Sequence, residues 1–299
     1  MKKLFFTFLL IGLVVYYSMQ KEVRLKDFRN PQKLLAKLTT SNKDLFFKPE
    51  DLKCSETCVV LTKDYDYEKI SVEISNLYKV PVTVKVRLNL TQATSEKGNE
   101  FVVTLGPEQK RKLLTNVYPQ NGPTEVKIHS EIDFNYGKLT GEYKNNFVYT
   151  PPILRGREVE VSAGHFSRNK PHTFLLRLKI AAGEVVQVPR AGIVVDIQKG
   201  DKSSSWLPPA FEDFSPYVVV QHEDGTLALY GNIRMRDFIN VGEVVSKGQN
   251  IGEVRKSGEF FFEVYRINDE GEVDSFPAPI KNSDGQNLTS VMTGQVLKR

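Results

Sequence analysis

Apolar and polar residues alternate through V-T-V-K-V-R-L-N-L, so Val82, Val84, Val86, Leu88 and Leu90 fall on one face of an extended chain. Period two over that length predicts a strand with one buried side. Shorter runs predict further strands at 70–74, 101–105, 126–134 and 147–149, separated by G-N, G-P, N-G and Y-G turn signals. Closely spaced strands with no helical periodicity between them predict an immunoglobulin-like β-sandwich over residues 48–150.

Pro151 and Pro152 end that pattern, because neither ring nitrogen can donate to a sheet. A second strand-rich region follows over 151–275, with strands expected at 159–161, 174–180, 185–188, 192–198, 217–221, 227–231 and 260–267. Between two of them lies a long polar and aromatic loop, D-K-S-S-S-W-L-P-P-A-F-E-D-F-S-P, of the kind that rims binding sites. Residues 276–299 read as a C-terminal extension.

The start of the chain has a different character. Lys2 and Lys3 precede an uncharged apolar stretch over 4–17, the signature of export, and residues 1–19 read as a signal anchor or a signal peptide. As a helix the stretch rises only about 21 Å against a bilayer core of about 30 Å, and no A-x-A-like cleavage site follows it. Held by its lysines on the inner side, it would leave the rest of the chain outside the membrane, in the periplasm or another extracytoplasmic space. Residues 20–47 are a basic, mixed linker, with a short helix expected over 31–38 behind Asn30 and Pro31.

Composition adds limits. With 40% hydrophobic and 26% charged residues the chain is globular, and its formal net charge of +5 is a mild bias towards acidic partners. Zinc-finger spacing, RNA-binding signatures and alternating basic and aromatic runs are missing, which argues against nucleic acid. The two cysteines, Cys54 and Cys58, stand in K-C-S-E-T-C-V. Outside the cytoplasm they suit a local disulfide, with free thiols as the alternative; the spacing is not the C-x-x-C of redox or metal sites. Ser203, Ser204 and Ser205 have no histidine and acid in an arrangement that would make a nucleophile.

Four segments of the second region occur in a telling order. V-P-R-A-G-I-V-V-D-I covers 188–197, Y-V-V-V-Q-H-E-D-G-T-L-A-L-Y-G-N-I covers 217–233, V-G-E-V-V-S-K-G-Q-N-I-G-E-V covers 241–254, and E-F-F-F-E-V covers 259–264. Together they resemble the lysostaphin-type, or LytM-type, zinc peptidases that cut peptidoglycan. The last segment occupies the place of that family's H-L-H-F-E-V. The third also resembles the lysine-bearing turn of lipoyl and biotinyl carriers, but Lys247 lacks the flanking residues a carrier needs.

The resemblance implies an all-β chain: an immunoglobulin-like sandwich, then a LytM-like antiparallel domain of duplicated-hybrid-motif type, after the N-terminal anchor. It also implies a zinc site of His, Asp and His with assisting histidines. Here every such position differs. Arg168 and Arg177 stand for the first His and the Asp ligand, Phe261 for the second His ligand, and Glu259 and Asn232 for the assisting histidines. Alternation puts Glu259, Phe261 and Glu263 on the face of the former active site and Phe260 and Phe262 in the core. Neither guanidinium nor phenyl can ligate a metal, so no cofactor is expected. Arg168 and Arg177 should pair with Glu259 or Glu263, either plugging the cleft or leaving positive charge for a carboxylate or phosphate.

The four histidines, His129, His165, His172 and His222, show neither H-x-H nor H-x-x-x-D spacing. His222 reads as a turn residue before E-D-G, while His165 and His172 lie where a register shift would supply a single ligand. The expected function is that of a non-catalytic binding, scaffold or regulatory protein of the bacterial envelope, with an envelope protein or cell-wall peptide as partner. The alternatives are a peptidoglycan metalloendopeptidase with an atypical metal site and a structural subunit of a periplasmic assembly.

Overall fold

A computed structural model describes residues 58–66, 68–120, 126–140, 147–165, 174–200, 214, 216–255 and 258–299. The export segment, the linker, Cys54, Arg168, His172 and Ser203 to Ser205 lie outside the described residues. Among the described residues all regular structure is β-strand, and no helix is long and apolar enough to cross a membrane.

The first seven strands are β1 (Val59–Tyr65), β2 (Ile70–Asn76), β3 (Val82–Thr91), β4 (Ala93–Ser95), β5 (Glu100–Leu105), β6 (Lys112–Pro119) and β7 (Lys127–Tyr136). They form the two sheets of the expected sandwich, ordered β1-β2-β6-β4 and β5-β3-β7. The alternating run sits in β3, where Val82, Val84, Val86 and Leu88 are fully buried while Arg87 and Asn89 are exposed. Cys58, just before β1, is buried and disulfide-bonded.

The chain divides into two compact units. One comprises 87–100, 110–131 and the described residues up to Ser75, with Val72, Ile74, Leu88 and Val117 in its interior. The other comprises Asn76–Val86, Phe101–Gln109 and Ile132–Arg299.

The larger unit holds β8 (Glu158–Ala163), β9 (Leu176–Lys179), β10 (Val185–Gln187), β11 (Gly192–Gln198), β12 (Tyr217–Gln221), β13 (Leu227–Gly231) and β14 (Ile233–Met235). They are followed by β15 (Val244–Val245), β16 (Asn250–Val254), β17 (Glu259–Ile267), β18 (Val273–Ser275), β19 (Ile280–Lys281), β20 (Asn287–Leu288) and β21 (Val296–Lys298). The main sheet runs β15-β11-β12-β13-β17-β9-β8-β21, with β18 on β17; β10-β16-β14 is a separate sheet. Residues 147–149 form no strand. Tyr149 makes one isolated bridge to Ile280, and Pro151 and Pro152 behind it cannot extend the ladder.

Every residue of β12 and β13 is buried, because the sheet carries an apolar layer on each face. Val218, Val220, Ala228, Tyr230, Phe260, Phe262 and Val264 pack in one layer. Tyr217, Val219, Leu227, Leu229, Phe261, Tyr265 and Ile267 pack in the other, with Val80, Leu175, Val195 and Phe214. Full burial of one such side chain contributes roughly 1.5–3 kcal/mol, so the two layers supply the main stabilisation of this unit. The last strand closes the sheet on β8, and the Arg299 guanidinium donates to the carbonyls of Pro151 and Ile153. Gly164 is required there, because a Cβ at that position would stand 2.4 Å from the Val291 carbonyl oxygen.

Candidate functional site

Strand register assembles the site. Tyr217 pairs with Gly231, Gly231 with Phe261, and Phe261 with Arg177, so these four residues form one row across β12, β13, β17 and β9. Directly paired residues of an antiparallel sheet share a face. The two positions assigned from sequence to the Asp ligand and the second His ligand are therefore immediate neighbours.

Phe261 is 8% exposed, and its ring stands 5.3 Å from that of Phe214, which enters from the end of the long loop. Gly231 makes room for this stacking. A Cβ there would lie 3.0 Å from the Phe214 Cβ and backbone oxygen and 3.1 Å from the Phe261 Cβ. The Arg177 guanidinium carbon lies 5.5 Å from the centroid of the Phe261 ring, and its Nη1 reaches Glu259 Oε1 at 3.7 Å. Both charged side chains are about two-fifths exposed, so this pair is worth at most about 1 kcal/mol.

Asn232 ties the surroundings together from a left-handed backbone conformation, φ 61°. Its side-chain amide donates to the Glu259 carbonyl, its N–H donates to the Phe214 carbonyl at 2.9 Å, and its own carbonyl accepts from Arg255 N–H at 3.2 Å. Of the five positions singled out in the sequence, the structure thus brings Arg177, Asn232, Glu259 and Phe261 together. Arg168 lies outside the described residues. Glu263 is on the same face as Phe261 but 1% exposed, opposite Leu229.

Among the described residues the position is filled by the stacked Phe214 and Phe261 rings with the Arg177–Glu259 ion pair beside them, while the expected pairing of Arg168 lies outside the described residues. Zinc of the peptidase kind needs imidazole or carboxylate donors converging on one point. The row instead offers a permanently protonated guanidinium and a phenyl ring, and the carboxylate beside them, Glu259, already faces Arg177. This donor set does not fit the ion. Among the described residues no three His, Cys, Asp or Glu side chains come together as a metal site.

The three described histidines lie elsewhere. His165 is buried, with its N–H donating to the Val291 carbonyl at 2.8 Å and its Nδ1 accepting from Val291 N–H at 3.1 Å. His222 is buried and donates from Nδ1 to the Ala191 carbonyl at 2.9 Å. Burial pushes both imidazoles down to about 4. His129 is exposed on β7.

Two polar groups escaped the sequence reading. A bulge in β11 turns both Val195 and Asp196 towards the Phe261 layer, where Tyr217 Oη donates to Asp196 Oδ2 at 2.8 Å. Burial raises that carboxyl to about 6 despite the hydrogen bond. On the other side, Arg190 pairs with Asp224 at 2.9 Å, with both side chains nearly buried, and lies 4.2 Å over the Phe147 ring. The only signals in the sequence were one acid in V-V-D-I and one arginine in V-P-R-A-G, each compatible with a surface position.

Residues 175–273 match the model of peptidase family M23. The match covers about a third of the chain and lies within the larger unit, whose described regular structure is all β-strand. A comparison with curated proteins gives no match. Among solved structures, a mutant of the catalytic domain of the prophage-encoded M23 protein EnpA from Enterococcus faecalis aligns at 18% identity. That alignment covers 41% of this chain and 92% of that one, with a TM-score of 0.31. The catalytic domain of lysostaphin from Staphylococcus simulans aligns at 15% identity, over 44% and 87% of the two chains, with a TM-score of 0.27. Helicobacter pylori Csd3 aligns at 12% identity, over 92% of this chain and 86% of its own, with a TM-score of 0.34.

Proposed function

We propose that the M23 domain of this chain does not hydrolyse peptide bonds and that the protein is a non-catalytic binding or scaffold component of a bacterial cell envelope. The observation that carries this is the row Gly231, Phe261, Arg177. Where a peptidase of this fold polarises a carbonyl with a metal, this chain has a phenyl ring covered by Phe214 and flanked by a guanidinium. Beside that ring the Glu259 carboxylate is turned to Arg177, which disfavours its use as a general base towards a nucleophilic water. The apolar segment over 4–17, behind two lysines, supports a location outside the membrane with an N-terminal tether, and the partner would be an envelope protein or a cell-wall peptide.

The test is direct. Full-length protein incubated with purified cross-linked peptidoglycan and added zinc should release no new amino termini above a metal-free control. Zinc-dependent release that a chelator abolishes would overturn the proposal and restore the metalloendopeptidase alternative.

A further inference from the structure

A cavity of about 800 Å³ opens beside Asn232, along the outer edge of β14. Among its described lining residues four are cationic, Lys199, Arg234, Arg236 and Arg255, and one is an acid, Asp237. Glu253 bridges two of the cations: its Oε2 accepts from Arg234, and its Oε1 lies 3.0 Å from Arg236 Nη2. Counting Glu253, the described residues there carry four positive charges and two negative ones. A guanidinium carries five N–H donors, so the shared carboxylate leaves most of those on Arg234 and Arg236 unused by it. Those two side chains are 77% and 43% exposed.

The backbone beside these cations is equally informative. Asn232 accepts from Arg255 N–H and Ile251 accepts from Arg236 N–H, with Arg234 paired to Glu253 between them. Residues 232, 234 and 236 thus turn their main-chain groups towards β16. Alternation turns those of Ile233 and Met235 the other way, to the edge where the sheet ends at β14. Ile233 N–H meets the Pro216 carbonyl at 3.2 Å, and Met235 lines the cavity.

We propose that this cavity is the docking site for an extended, acidic polypeptide segment of a partner protein. Such a segment would lie along β14 as an added strand, with its main chain paired to Met235. Carboxylates at alternate positions would meet Arg234 and Arg236, which are themselves two residues apart on one face, and Lys199 and Arg255 would flank them. The proposal rests on the non-catalytic binding function above and adds the chemistry of what is bound. An extended chain fits better than an isolated anion because the basic side chains accompany a strand edge that no other described strand pairs with at Met235.

The test uses the full chain and a fluorescein-labelled peptide of alternating Glu and Val, followed by fluorescence anisotropy, with mass spectrometry of the peptide afterwards. The peptide should bind and remain intact, while a Lys-Val counterpart should not bind. Arg234→Gln with Arg236→Gln should weaken binding about tenfold, with thermal stability unchanged to show that the fold persists. Methylating alternate peptide amides should weaken it to a similar degree, because the edge pairing is lost. Equal binding by the double variant overturns the proposal, as does tripolyphosphate displacing the peptide while amide methylation has no effect. Absence of binding with an intact peptide sinks this inference alone, whereas zinc-dependent cleavage of the peptide sinks the non-catalytic function instead.

Discussion

Arg177 stands directly opposite Phe261 across β9 and β17, with its guanidinium carbon 5.5 Å from the ring centroid. The cation lies at the rim of an apolar layer and leans on an aromatic face, which accounts for its place beside buried residues. Its carboxylate partner is Glu259 at 3.7 Å, exposed to a similar degree. Arg177→Ala and Glu259→Ala should each cost about 1 kcal/mol or less, and a double-mutant cycle by urea unfolding should give a coupling below about 1 kcal/mol. A coupling of several kcal/mol would mean a buried pair.

Phe261 itself is structural. Phe261→Ala should destabilise the protein by about 3 kcal/mol, because it opens a cavity under Phe214 in a layer that also holds Val80, Leu175 and Tyr217. Differential scanning calorimetry checks this, and a change within about 0.5 kcal/mol would contradict the packing described.

Arg190 and Asp224 form a less exposed ion pair than Arg177 and Glu259, with side chains 14% and 10% exposed. Burial opposes the charge of Asp224, but hydrogen bonds from Thr226 and Arg190 outweigh it and hold the carboxyl below its usual range. Arg190→Leu removes the counter-charge and should cost about 3 kcal/mol, and Arg190→Leu combined with Asp224→Leu should recover part of that loss. Denaturant midpoints of the two variants decide it; a double variant less stable than the single one refutes the account.

Acid should weaken the fold through two histidines. His165 and His222 have folded values near 4 against an unfolded value near 6.5, so the unfolded chain binds more protons between those limits and stability falls as pH drops through that window. Each contributes up to about 3 kcal/mol. Asp196 works in the opposite sense. Its folded value is raised to about 6 from 3.8, so its contribution is present in full below about 3.8 and is lost as pH rises through about 6. Urea midpoints should therefore fall from pH 7 to pH 4.5, and Asp196→Asn should make the fall steeper. A flat profile in the wild type, or a shallower one in the variant, contradicts the assignment.

The parts of this fold that could be foreseen are those where side chains alone report the environment. The runs at 192–198, 217–221 and 227–231 coincide with β11, β12 and β13, because continuous apolar stretches bounded by turn signals suit strands buried on both faces. β15, β19 and β20 are two residues long and carry no period to detect. The expectation that Arg177, Glu259, Phe261 and Asn232 lie near one another came from the resemblance to the peptidase motifs, with strand alternation adding only which side chains share a face. The covering by Phe214 did not, because its loop is polar and nothing in the local sequence fixes where one phenylalanine of that loop will land. Asp196 escaped notice because a bulge, which no side-chain period announces, turned it inward.

The stacking of Phe214 above Gly231 and Phe261 also bears on how such a domain changes over time. Writing Asp at 177 and His at 261 would return two donors to the row, yet the space before them is filled by a neighbouring phenyl ring whose withdrawal sacrifices buried apolar surface. Building a metal site in this row would thus need a rebuilt loop as well as new ligands, and single substitutions along that route would meet a stability barrier first. The filled groove would act as a ratchet against a metal site in this row.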